Sequence, residues 1–211
     1  MRSIEAKMLS PFELIGRFVE LMNTGGVVMW VLFILNFFLW YGLGYRYFIL
    51  NRGTKGNVRR LINKHEKRGE AQAMRGMLDY AVADALQAAQ EAKEIGANMR
   101  KHISGVLLPY YSDVNSYRIM IRTIVVLAPL VGLLGTVMGM IETFDALQSS
   151  SMFAQGASIS GGISKALFTT ELGLVVAVPG LIIGRVLDRK AERYELEFEQ
   201  ITDIISTKDA E

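Results

Sequence analysis

Three stretches of this chain are too long and too free of charge to read as parts of a soluble core. Gly26–Tyr45 runs twenty residues without a charged side chain and Thr123–Ile141 runs nineteen; Ala166–Gly184 runs nineteen with one charge, Glu171. A helix rises about 1.5 Å per residue, so roughly 20 apolar residues cross the hydrocarbon layer. The whole chain has 211 residues, of which 51% are hydrophobic. That would suffice for a soluble core, but the apolar residues collect into blocks instead of spreading at core periodicity. Three membrane-spanning helices are expected. The first block follows some 25 mixed residues, lacks a cleavage site and has two more spans behind it, so it reads as a retained span and not a signal peptide.

Composition removes several functions. With no cysteine, disulfides, thiolate nucleophiles and cysteine-held metals are excluded together. A net charge of +2 argues against nucleic acid, whose binding rests on neutralising phosphates.

Lys and Arg mark the cytoplasmic side of a membrane protein. Residues 51–118 hold twelve of them and the tail after Gly184 holds five, whereas "DALQSSSMFAQGASISGG" holds none. The N-terminal residues hold three, balanced by Glu5, Glu13 and Glu20. The expected topology is N-out and C-in. The organisation that follows is a periplasmic amphipathic helix over 1–24, a first span over 25–50, and a cytoplasmic helical region over 51–122. A second span over 123–144, a periplasmic loop over 145–162, a third span over 163–185 and a cytoplasmic helical tail over 186–211 complete it. The basic run from Arg52 to Arg68 is read as the ordinary flank of a span.

Local patterns fill in the elements. "SPFELIGRFVELM" opens with a capping box, Ser10 as N-cap and Glu13 three residues on, with Pro11 at the first helical position. Phe12, Ile15, Phe18, Val19 and Met22 then share one helical face, which suits a helix lying at the membrane surface until "NTGG" ends it. Met74, Leu78, Ala81, Ala85, Ala88, Ala92 and Ile95 form a seam of mostly small residues. A second seam, Val114, Tyr117, Ile121 and Val125, leads straight into the second span. A third, Leu187, Ala191, Tyr194, Phe198, Ile201 and Ile205, continues out of the third. Both spans are therefore expected to run on as long helices beyond the bilayer.

Catalytic motifs are missing. "GASIS" lacks the closing glycine of a nucleophile elbow, and "GLLGTVMG" lacks the strand and phosphate partner of a nucleotide loop. His65 and His102 stand singly, as solvated surface residues and not as metal ligands. No enzyme activity, metal or cofactor is expected.

The second and third spans carry small residues at helical spacing. Ala128, Gly132 and Thr136 form one strip, with Gly135 and Gly139 beside it. Gly162, Ala166 and Thr170 form another, with Thr169, Gly173 and Ala177 adjoining. Such strips let helix backbones approach closely in lipid. Each helix carries two, so one is expected to serve the neighbouring helix and the other a partner. Placing Glu142 opposite Lys165, as an ion pair at the outer rim, sets Thr136, Thr170 and Glu171 at one depth near the bilayer centre. A lone threonine in a span often bonds only its own backbone. Glu171 is either a neutral acid tying two helices together or part of an ion path.

"LAPLVGLLGTVMGMIETF" followed by "GISKALFTTELGLVVAVPG" resembles the ExbB/TolQ/MotA family of proton-channel proteins, and "GGVVMW" resembles the ExbB/TolQ entry to the first span. The three-span layout is similar to ExbB and TolQ. The resemblance implies an all-α bacterial inner-membrane motor subunit that assembles as a ring, a homopentamer whose second and third helices line a pore. It implies two copies of a single-span ExbD/TolR-like partner in that pore, whose aspartate carries the ion, and a TonB- or TolA-like protein that receives the work. By motif, Thr136 and Thr170 match the family's pore-lining threonines. The chain departs from the pattern at Lys165, where many ExbB members have glutamate, and at Glu171, where they have none. Proton and sodium both stay open as the driving ion, and a secondary transporter or a passive scaffold are the alternatives in other classes.

Overall fold

A computed structural model describes residues 11–50, 57–68, 76–149 and 155–208. All elements among them are helices: α1 (Pro11–Ile49), α2 (Val58–Arg68), α3 (Met77–Ile95), α4 (Met99–Asn115), α5 (Arg118–Ser149) and α6 (Gln155–Lys208). Three stretches are long and apolar enough to cross a membrane, within Gly25–Ile49, Met99–Gln148 and Ile159–Lys208. The chain divides into two compact units, one of Met1–Trp40 with Arg122–Leu181, the other of Tyr41–Ile121 with Ile182–Glu211; α1, α5 and α6 contribute residues to both.

In the first unit α1 is interrupted at Gly26, whose φ of 65° and ψ of −154° are not helical. An L side chain is strained at that φ, so glycine is the residue that allows the break. It falls within "NTGG", where the first helix was expected to end. The proposed cap Ser10 lies outside the described residues, as do the side chains of Phe12, Ile15 and Phe18. Met22, Val28, Met29, Leu32 and Leu39 are buried. α5 ends at Ser149 and α6 opens at Gln155, so both helices extend into the segment expected to be loop; residues 150–154 are not described. Serine and glycine near a helix end are tolerated where neighbouring turns already hold the backbone, which is why composition overstated the loop. The outward faces are apolar, with Phe37, Leu133, Val137, Leu167 and Val175 exposed, as a lipid-facing surface requires.

The second unit packs with larger side chains. The seam Leu187, Ala191, Tyr194, Phe198, Ile201 and Ile205 is buried throughout. Tyr111 meets Phe198 edge-on with ring centres 5.2 Å apart. From α3, Leu78, Ala81, Ala85, Ala88 and Ala92 are buried, whereas Ile95 is exposed. Gly96, with φ 68°, terminates α3 in the left-handed conformation, and Asn98 caps α4 by accepting from the Lys101 N–H at 3.2 Å. His65 is buried and not solvated, with Nδ1 3.0 Å from the Leu61 carbonyl. His102 is half-buried, its Nε2 3.5 Å from Glu91 Oε2.

The seam from Val114 to Val125 does not run as one helix. α4 stops at Asn115 and α5 starts at Arg118, with Tyr117 between them at φ 58°. Side-chain periodicity continued across the junction and concealed it. The Tyr117 ring packs edge-on against Tyr45 and Tyr41, at 4.9 and 5.9 Å between centres, contacts between distant segments that hold an otherwise disfavoured backbone.

Candidate functional site

The face shared by α5 and α6 is built from what its residues lack. A methyl added at Gly132 would come within 2.9 Å of the Thr169 carbonyl oxygen. At Gly139 it would lie 2.8 Å from the Gly162 oxygen, and at Gly173 2.8 Å from the Ala128 oxygen. Gly135 faces the Thr169 side chain, and Ala177 is buried. Real Cβ atoms almost never stand so near, so these backbones touch because glycine occupies those positions. The two strips on each helix, expected to divide between a neighbour and a partner, both enter this packing. Adjoining strips lie close enough around a helix for one interface to cover them.

What the interface leaves at its margin is polar. Thr136 and Thr170 are half-buried. Thr136 donates to the Leu133 carbonyl at 2.6 Å. The Thr170 hydroxyl stands 3.4 Å from both the Gly132 and Ala166 oxygens, long enough to be weak. Thr169 and Thr143 are buried and bond carbonyls of their own helices. Lys165 Nζ lies 2.5 Å from Glu142 Oε1, beside the Gly26 break, where an added Cβ would stand 3.0 Å from that Nζ.

The contacts also set the level of these groups. Gly132 meets Thr169 and Thr170, and Gly139 meets Gly162 and Ala166. Thr170, at the level of Gly132, and Glu171 therefore lie about one turn away from Thr136 and not at its depth. Glu142 and Lys165 misled the depth estimate because long side chains lean along their helices and can pair without their backbones being level. Glu171 itself is exposed and makes no hydrogen bond or ion pair with a described residue. A charged side chain at the centre of a span costs roughly 2.5–3.5 kcal/mol on insertion scales.

A second polar cluster, in the second unit, went unread in the sequence. Arg46 is 1% exposed and its Nη1 donates to Asp188 Oδ1 at 2.8 Å. Arg118 Nε lies 3.2 Å from the same oxygen, and Arg118 Nη2 is 3.3 Å from Glu192. Arg118 Nη1 donates to Asn115 at 3.1 Å, and Asn115 donates to Glu195 at 2.7 Å. The available signal was positional: Arg46, Arg118 and Asp188 each lie within about five residues of an end of an apolar block, and one sign differs. Among the described residues no group of three or more His, Asp or Glu side chains could hold a metal.

Three apolar helices, with glycine-mediated packing between two of them, define a multi-pass helical membrane protein. Residues 57–200 match the MotA/TolQ/ExbB proton channel family, and the chain belongs to that family. It is 28% identical over 194 residues to a putative biopolymer transport protein ExbB homolog of Methanothermobacter thermautotrophicus, covering 86% of this chain and 68% of that one. It is 40% identical over 81 residues to the biopolymer transport protein ExbB of Aquifex aeolicus, covering 38% and 54%. A putative ExbB-like protein of Synechocystis matches at 41% over 71 residues, covering 33% of this chain and 34% of that one; the match thus spans about a third of that relative's length.

Proposed function

We propose that the chain is an inner-membrane stator subunit, oriented N-out and C-in, which uses the proton motive force to energise a TonB- or Tol-type process across the envelope. The observation that carries this reading is the α5–α6 pair. It is closed on itself by backbone contact, yet leaves Thr136 and Thr170 half-buried at its margin and Glu171 exposed on α6. A three-helix chain cannot enclose a pore, so the margin serves an assembly. A homopentamer with α5 and α6 lining its centre, surrounding two copies of a single-span ExbD/TolR-like partner, uses every such feature. Thr136 and Thr170 then border the path of the ion to the partner's carboxylate, and Glu142–Lys165 braces the outer rim. Moving one charge through 100 mV releases about 2.3 kcal/mol, so several ions must pass per working cycle. The work goes to a TonB- or TolA-like protein.

The test is assembly and topology together. The chain expressed with its single-span partner should purify from mild detergent as a ring with the partner inside. A cysteine at position 155 should label from the periplasm, and one at position 88 only from the cytoplasm. A monomer in both detergent and native membranes, or labelling of position 88 from outside intact cells, overturns the reading.

A further inference from the structure

Glu171 stands in a setting that fits neither a packing residue nor a surface charge. The positions three and four residues to either side on α6 are Leu167, Phe168, Leu174 and Val175, with Val178 further along, and all are exposed and apolar. α5 has no acidic, basic or histidine side chain between Arg122 and Glu142, and α1 has none from Gly26 to Tyr45. The nearest cation on its own helix toward the N-terminus, Lys165, is held by Glu142. The carboxyl thus lies on an apolar face that must be covered by lipid or by another helix. Among the described residues none pairs with it, so no tie between two described helices uses it.

We propose that Glu171 is a proton-carrying carboxyl supplied by this chain itself, a second ion-binding group in the path besides the carboxylate of the central partner. The proposal rests on the ring reading above. The carboxylate takes a proton from water on the side of higher proton activity, forming one O–H bond and a neutral acid. It then gives that proton up to water or to the partner's carboxylate, and returns to its starting charge; no electrons are exchanged. The same geometry selects the proton over sodium. A hard cation is held by several oxygens at once, whereas a proton needs one. The side chains three and four residues to either side of Glu171 on α6, Leu167, Phe168, Leu174 and Val175, carry no oxygen.

The test uses membranes containing the whole chain and its partner, treated at neutral pH with a hydrophobic carbodiimide, which reacts with protonated carboxyls in apolar surroundings. Peptide mass spectrometry should find the adduct at Glu171, lost in Glu171→Gln, and no weaker with sodium present than without it. Ion-driven activity should be lost in Glu171→Gln while the ring survives. Protection by sodium overturns the choice of ion. Labelling no greater than at the exposed Glu192, or wild-type activity in an assembled Glu171→Gln ring, overturns the proton-carrying role. If wild-type membranes lack ion-driven activity altogether, the stator reading fails, while the labelling result still judges Glu171.

Discussion

The two units hold their helices together by opposite means. In the first, α5 and α6 meet through missing side chains, at Gly132, Gly139 and Gly173. In the second, α6 is held by large ones, Phe198 and Tyr194 among them, and by the Arg46–Asp188–Arg118 cluster. The two kinds of packing suit different solvents. Lipid tails are as apolar as leucine, so burying a large side chain between helices in a membrane gains little over leaving it in lipid. Close backbone packing is what remains. In water, by contrast, the hydrophobic effect rewards burying large apolar surfaces. One unit should therefore break when atoms are added and the other when atoms are removed.

The largest effects are expected from removal in the second unit. Phe198 is fully buried against the Tyr110, Tyr111 and Tyr194 rings. Phe198→Ala should destabilise that unit by about 3–5 kcal/mol, read as a lower midpoint of thermal unfolding in detergent. Asp188→Ala should approach the same range, about 3 kcal/mol, because it strands the buried Arg46 guanidinium. Replacing both Arg46 and Asp188 by apolar residues of similar volume should recover much of that loss. A double variant no more stable than Asp188→Ala alone would show that the cluster does something other than neutralise Arg46.

Addition in the first unit comes next. Gly132→Ala drives a methyl toward the Thr169 carbonyl, and overpacking of this kind costs about 1–3 kcal/mol. Gly161 has nothing within 4 Å of the added carbon, so Gly161→Ala should leave the unit unharmed or firmer by about 0.5–1 kcal/mol, the usual gain when alanine replaces a helical glycine. Opposite signs at two glycines of similar sequence setting would establish that contact, and not glycine content, holds the pair. Equal effects would dissolve the contrast between the units.

This contrast was partly readable from sequence. The seam from Leu187 to Ile205 was, because large residues make a helical period visible. The small strips were visible too, but not their division of labour, since a glycine reveals that something comes close and not what. The break at Tyr117 stayed hidden: no glycine or proline marks it, and the rings it packs against, Tyr41 and Tyr45, lie more than seventy residues away in the chain. The Arg46–Asp188 pair was hidden for the same reason, being 142 residues apart. Glu171 was conspicuous as the sole charge in its block, yet its level relative to Thr136 needed backbone contacts that a long lysine cannot report.

The smallest effect on stability is expected at the threonines. Thr136→Val and Thr170→Val keep the side-chain outline and remove the hydroxyl. Thr136 bonds a carbonyl of its own helix, so its loss leaves that backbone group still within the helix ladder. Thr170 stands 3.4 Å from the two oxygens it could serve, too long to contribute much. A typical hydrogen bond nets only about 0.5–1.5 kcal/mol, and these two fall at or below the bottom of that range. The double variant should then unfold at nearly the wild-type temperature and assemble normally. If the hydroxyls order water beside the ion path, activity should fall without any such change in stability, a separation that neither Phe198→Ala nor Gly132→Ala can produce. An unfolding midpoint lowered as far as that of Gly132→Ala would place both threonines inside the packed face, and full activity would leave the path without them.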